Sequence, residues 1–383
     1  MPTKQDRTED GRLTYVFTDD DDQPVELVNR FLLYTLNRGN SPNTVRAYSN
    51  DLQYLLRFLR ESDLSFADLR SRHMPELLDY LRARASRTAR AAHGQSPNGR
   101  TGGRVVRQLS PASASRALAA VAMFYDFLIT YEHYDEQHPL QKVDSPVSRL
   151  AERRPRPALG ASSKQAPLRR RTSVKVPERL PRPMRREDVE RLIEALTKLR
   201  DKALTLLLVN GGLRPSEALT LDLSDIQYGL RRVRVRVVHD DPRGLRTKST
   251  QERTVDLHDE VTLAVISAYV MHERPRDSGS TLLFLVGGNG QRRLEPLSYS
   301  AVNRTFARRC EALGIRTPWT TPHALRHTHA SEMFEHGMRD MTLQKRLGHK
   351  SLQSTKVYTK VSDPAVLHDY RAALESQRRR EDS

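Results

Sequence analysis

Residues 323–330, HALRHTHA, and residues 347–361, LGHKSLQSTKVYTKV, decide how this chain is read. In the first, His323 and Arg326 stand three apart, a spacing that on a helix puts both side chains on one face and lets them meet one ligand. In the second, Gly348-His349 precedes Tyr358 by nine residues. Further back, GGLRPSEALTL (211–221) ends one helix at Gly211-Gly212 and starts the next at Pro215, leaving Arg214 between them. An arginine held at a helix start offers a two-donor fork beside free backbone amides, which suits a phosphate. LRTKSTQERTVDL (245–257) supplies Lys248. Its neighbour Arg246 is a rival for phosphate contact but a poor proton donor, because its pKa stays above about 12. Arginines can clamp a phosphate, lysine and histidine can move protons, and a tyrosine can attack. With a free pKa of about 10, that tyrosine needs cations or a base beside it.

Outward from these segments the pattern predicts a mainly α chain with a small β-sheet. Ser41-Pro42-Asn43-Thr44 starts a helix, Ser41 capping and Pro42 in the first turn, and Val45, Tyr48, Leu52, Leu55 and Leu59 follow at helical spacing. A second helix is expected over 113–131. Alternation over 232–237 predicts a strand, with 252–257 as its partner. A third apolar stretch, 282–286, is closed by Gly287-Gly288-Asn289-Gly290, which lacks a following Lys-Ser/Thr and reads as a turn. Further helices are expected near 186–199, 201–210, 298–313, 322–337, 341–348 and 363–376. The organisation that follows is a disordered tail over 1–22, whose aspartates at 19–22 are merely solvated. A helical domain over 23–148 comes next, with a mobile basic loop at 83–110. A basic linker covers 149–183 and a second domain 184–383. Residues 151–186 hold 12 Lys or Arg against 2 Asp or Glu, Arg169, Arg170 and Arg171 among them.

A chain of 383 residues has room for two domains, each with its own core. Its 64 Lys and Arg against 47 Asp and Glu give a net charge of +17, which favours a polyanionic partner, nucleic acid ahead of an anionic membrane. The linker's charge is expected to follow a phosphate backbone. No apolar run approaching the roughly 20 residues of a bilayer span is read here, and the polar N-terminus lacks a signal-peptide core. A soluble, cytoplasmic protein without a membrane partner is expected. The single cysteine, Cys310, allows no internal disulfide, fits a reducing compartment and reads as a core residue. His323 and His327 are four apart but lack the glutamate and third ligand of a zinc site, so neither metal nor cofactor is expected.

Taken in order, Arg214, Lys248, His323, Arg326, His349 and Tyr358, with the four segments that carry them, resemble the tyrosine recombinase (phage integrase) family, of Xer and integrase type. The N-terminal helical region with Ser41, Thr44 and Tyr48 is similar to that family's SAM-like core-binding domain, which clamps DNA opposite an α+β catalytic domain. The likeness covers residues 25–376. It implies that Arg214 and Arg326 bind the scissile phosphate, Glu217 supports Arg214, and Lys248 protonates the departing 5′-hydroxyl. His323 and His349 would assist proton transfer, and Tyr358 would attack to give a 3′-phosphotyrosine without metal or ATP. Ser249 departs from the glycine usual beside that lysine. Ser41, Thr44, Arg169, Arg170 and Arg171 are the candidate DNA contacts. Four protomers on two duplexes, alone or with a second recombinase, are implied, coupled through a helix at 363–376. The extra length at 83–110 and 149–180 points to a mobile-element integrase or transposase ahead of Xer-type dimer resolution. Three alternatives stay open: a type IB topoisomerase-like enzyme, a non-catalytic DNA-binding regulator and a metal-dependent nuclease.

Overall fold

The computed structural model describes residues 3–83, 108–132, 134–143, 169–170, 172, 174–176, 182–238, 241, 243, 245 and 251–349. Lys248, Tyr358, Arg171, most of the 83–110 loop and the helix expected over 363–376 lie outside the described residues. The chain divides into two units, Met1–Glu178 and Arg179–Ser383, and the division falls inside the segment expected to be a linker.

The first unit begins where a disordered tail was expected. Instead, Thr3–Arg7 (β1) and Leu13–Phe17 (β2) form an antiparallel hairpin with Thr3 opposite Phe17 and Arg7 opposite Leu13. The reason is the alternation in β2, which turns Leu13, Tyr15 and Phe17 into the core. The aspartates at 20–22 are exposed, as expected of a solvated run, but Asp19 closes a turn, its Oδ1 accepting from the amides of Asp21 (2.9 Å) and Gln23 (2.8 Å). The helices are Glu26–Asn37 (α1), Pro42–Glu61 (α2), Met74–Ala83 (α3) and Pro111–Tyr131 (α4). Ser41 caps α2 and Ser110 caps α4, each with proline in the first turn. Phe31, Leu52, Phe124 and Tyr125 are sealed between them. Contrary to the expectation, α4 is long and apolar enough to cross a membrane; its Leu118, Val121 and Phe124 are spent on this core. Within the basic segment, Arg169–Arg170 (β4) pairs antiparallel with Lys142–Val143 (β3), so that stretch is more than a plain tether.

The second unit is built from Arg186–Ala195 (α5), Leu199–Val209 (α6), Pro215–Leu219 (α7), Thr262–Ala268 (α8), Tyr299–Ala312 (α9), Pro322–Glu335 (α10) and Asp340–Leu347 (α11). The helix α8, continued by one π turn over Tyr269–Glu273, is not among the expected ones. A three-stranded sheet has the order Ile226–Gln227 (β5), Arg232–Val235 (β6), Arg253–Asp256 (β7), all antiparallel. The alternation works as expected: Val233 faces Val255 across the ladder, and both are buried. The 282–286 stretch makes only isolated bridges, and the glycines after it turn the chain, Gly287 and Gly288 at φ +66° and +73°. Cys310 is buried in this core.

Phe17→Ala removes a wholly buried ring and should cost about 3–5 kcal/mol. The sole tryptophan, Trp319, lies in the second unit, so loss of first-unit stability should appear in far-UV circular dichroism ahead of any change in tryptophan emission. A dispensable tail would give no change.

Candidate active site

Arg214 caps the start of helix α7, with Glu217 three residues on. Glu217 Oε2 accepts the Arg214 backbone N–H at 2.8 Å, a capping box that leaves Pro215, with no amide hydrogen, in the first turn. The same carboxylate takes Arg214 Nη1 on Oε1 at 2.7 Å. It also takes both terminal nitrogens of Arg253, Nη1 at 3.1 Å and Nη2 at 2.7 Å. Arg326 Nη1 stands 3.7 Å from Oε2. Glu217 has no side-chain exposure. Burial pushes its pKa up, but the Arg253 hydrogen bonds and the charges of Arg253, Arg326 and Arg214 outweigh that and hold it at about 2.

Arg326 is the largest of the fully buried side chains. It ties two loops together, Nη1 donating to Gly212 O and Nη2 to Leu347 O, both at 2.7 Å. Arg214 reaches the same loop through long contacts, Nη1 at 3.5 Å from Leu347 O and Nη2 at 3.3 Å from Gly348 O. GGLRPSE, QER and HALR thus converge on one carboxylate, and their arginines tie LGH beside it. Two glycines permit it. Gly212 has φ +63°, and a Cβ there would sit 2.4 Å from His329 Cδ2; Gly348 has φ +64°, with Arg253 Nη1 2.8 Å from where a Cβ would be.

Three supporting residues were not among the candidates. Arg253, the last charged residue of QER, is the carboxylate's bidentate partner. Arg346 donates Nε to His329 Nε2 at 3.0 Å, and His329 Nδ1 pairs with Val209 O at 2.8 Å. That fixes His329 as the Nδ1–H tautomer, and burial with the Arg346 charge lowers its pKa to about 3. A signal existed: His323, Arg326 and His329 repeat at three-residue spacing along α10.

His349 follows the helix-ending glycine, its amide bonded to Gln344 O at 3.1 Å. Burial, then the charges of Arg326, Arg214 and Arg253, lower its pKa to about 3, so the imidazole is neutral at physiological pH. Beside it a groove of about 1190 Å³ opens between β7 and α11, with Arg253, Arg346, Gly348 and His349 in its lining. His323 occupies the first turn of α10, one turn before Arg326, its ring edge-on to His327 at 4.7 Å. No cluster of three or more metal-ligating side chains occurs among the described residues. In the first unit, the Ser41 hydroxyl accepts from the Thr44 amide at 3.2 Å and meets the Thr44 hydroxyl at 2.9 Å; their first task is capping.

Three guanidiniums against one carboxylate leave an excess of two positive charges in a largely water-excluded pocket, a field suited to a phosphate gaining charge. The family model for the phage integrase family matches residues 182–364, and that for the phage integrase N-terminal SAM-like domain matches residues 28–93. The chain belongs to the phage integrase family. Phage integrases of this kind are tyrosine recombinases, which cleave and rejoin DNA through a tyrosine intermediate. Transposase A from transposon Tn554 of Staphylococcus aureus is 25% identical over 367 residues, covering 94% of each chain. Tyrosine recombinase XerC of Caldanaerobacter subterraneus subsp. tengcongensis is 25% identical over 360 residues, 88% of this chain and 83% of its own. The fold matches that of XerH site-specific recombinase bound to its palindromic difH substrate in a post-cleavage complex, with a TM-score of 0.59, 15% identity, and coverage of 91% of this chain and 95% of that one. The mainly helical, two-domain architecture expected from the sequence is the one found.

The depressed histidines set an acid limit. His329 and His349 stay neutral in the folded chain down to about pH 3 but protonate near 6.5 when unfolded, so unfolding takes up protons in that window and stability falls as pH falls. Glu217, at about 2 folded against 4.5 unfolded, adds a further loss below pH 4.5. Calorimetry at pH 5 should show at least two protons taken up on unfolding, since burial lowers the pKa of His327 as well, and His349→Gln should remove about one of them. Uptake unchanged in that variant would contradict the assignment.

Proposed function

We propose that this chain is the integrase or transposase of a mobile genetic element and that Tyr358 is its nucleophile. The observation that carries the catalytic reading is the convergence of Arg214 and Arg326 on buried Glu217. Two guanidiniums fixed on separate elements supply the preorganised positive charge that phosphodiester cleavage needs.

The division of labour follows. Tyr358 Oη gives its proton to His323 and bonds to phosphorus, the P–O5′ bond breaks, and a proton from Lys248 goes to the departing 5′ oxygen. The 5′-hydroxyl of a partner strand reverses the step. Attack on a phosphodiester adds a negative charge at phosphorus. Arg214 meets that charge because its contacts to Leu347 O and Gly348 O are long enough to yield to phosphate oxygens. Arg326 holds the two loops in register beside it. Neutral His349 can donate one hydrogen bond to phosphate without a desolvated charge of its own, and His323, one turn before Arg326, assists the tyrosine's proton transfer. The arginines neutralise the phosphate, so neither metal nor ATP is required.

Ser41, Thr44, Arg169, Arg170 and Arg171 contact the DNA backbone in this reading. Four protomers act on two duplexes, coupled through the 363–376 segment, which lies outside the described residues. End-to-end similarity to Transposase A from transposon Tn554 supports the mobile-element role. Similarity to XerC at the same identity supports dimer resolution as the second reading.

Incubation with DNA flanking the gene and a random pool, stopped with SDS, should leave DNA covalently attached to the wild-type chain and not to Tyr358→Phe. EDTA should not change the yield. Attached DNA mapping to the ends of an element supports the transposase role, and a single chromosomal site supports the Xer role. An adduct persisting in Tyr358→Phe would refute the nucleophile. No adduct from the native chain despite tight binding would refute catalysis.

A further inference from the structure

The only tryptophan of the chain sits in RTPWTTPHALRH, four residues before His323. Nothing in the cleavage scheme uses it. Trp319 keeps 44% of its surface exposed, and the Arg182 guanidinium lies over its ring, 4.2 Å from the centroid. The turn beneath it is rigidly tied. Thr317 and Thr320 exchange amide-to-hydroxyl bonds of 3.1 and 3.2 Å, and Thr320, nearly buried, also donates to Ile315 O at 3.3 Å. Arg316 donates to Thr320 O. A large ring is thus fixed in water on a loop that ends at the cap of α10, Thr321. That cost has no return inside this unit's core, which does not include Trp319.

An exposed aromatic ring paired with an arginine is the chemistry that holds a nucleotide: the ring stacks on a base or sugar and the cation meets the adjoining phosphate. Among the described residues Arg182 makes no ion pair. Four residues span at most about 14 Å, which along one strand is about four nucleotides at 3.4 Å each. A phosphate bound beside His323 therefore puts its near neighbours within reach of Trp319.

We infer that Trp319, backed by Arg182, packs against a nucleotide within about four positions of the cleaved phosphate and sets the register of the strand in the site. This rests on the recombinase reading above. Trp319 is a positioning residue, and Arg182 supplies the flanking phosphate contact.

Being the sole tryptophan, Trp319 reports on itself. Titrating the full chain with a short mixed-sequence DNA duplex should quench its emission and shield it from acrylamide, with the midpoint given by DNA anisotropy. Trp319→Ala should weaken binding by about tenfold, equivalent to about 1.4 kcal/mol, while Trp319→Phe keeps most of it. Arg182→Ala should lower the salt slope by about one. Circular dichroism and thermal melting unchanged from wild type establish that the variants fold. Emission and acrylamide access unchanged at saturating DNA would overturn the assignment while leaving the recombinase reading intact. Absence of any DNA binding by the wild-type chain would overturn both.

Discussion

Taking a carboxylate out of water costs several kcal/mol unless cations and N–H donors close around it, and Glu217 imposes that demand on the whole second unit. Its four close donors come from Arg214 and Arg253, with Arg326 nearby. To meet it, the start of α7, the strand β7 and the middle of α10 must be brought to one point. Arg326 and Arg214 then fasten the loop after α11 through carbonyl contacts at Leu347 and Gly348. The local order is therefore electrostatic in origin, and the apolar core supplies the frame that keeps water out of it.

That arrangement also explains why the site is positive without being unstable. One carboxylate offsets part of the charge of three guanidiniums, and the remainder stays available to an anion. Burial does most to lower the pKa of His349, and the charges of Arg326, Arg214 and Arg253 lower it further. A protonated imidazole at that place would add charge where it is already in excess. Neutral, it can still donate one hydrogen bond.

Much of this was legible in the chain. Proline after a serine or arginine marked helix starts at Ser41 and Arg214, and alternation marked the strand with Val233 and Val235. The three-residue spacing of His323 and Arg326 marked one helix face. What escaped the sequence reading did so for physical reasons. The N-terminal hairpin was masked by its polar outer strand, TKQDR, although LTYVF beside it alternates. The turn at residues 19–22 read as no more than a solvated acidic run because the Asp19 carboxylate accepts two backbone amides, which composition does not reveal. Arg253 and Arg346 were passed over since their partners, Glu217 and His329, are distant in sequence. Arg326 was expected to bind the scissile phosphate; its burial against Gly212 O and Leu347 O follows from a tertiary contact that no spacing encodes.

The most direct test of the central claim is the rate of covalent DNA attachment by Glu217→Gln, measured beside its DNA affinity and its melting temperature. The amide keeps the shape but withdraws the charge that aligns Arg214 and Arg326. Attachment should slow by about 100-fold or more, the scale for losing one preorganised electrostatic contact, in a chain that still folds and still binds DNA. Attachment at the wild-type rate would show that the arginines hold their places without the carboxylate, and the account built on it would fail.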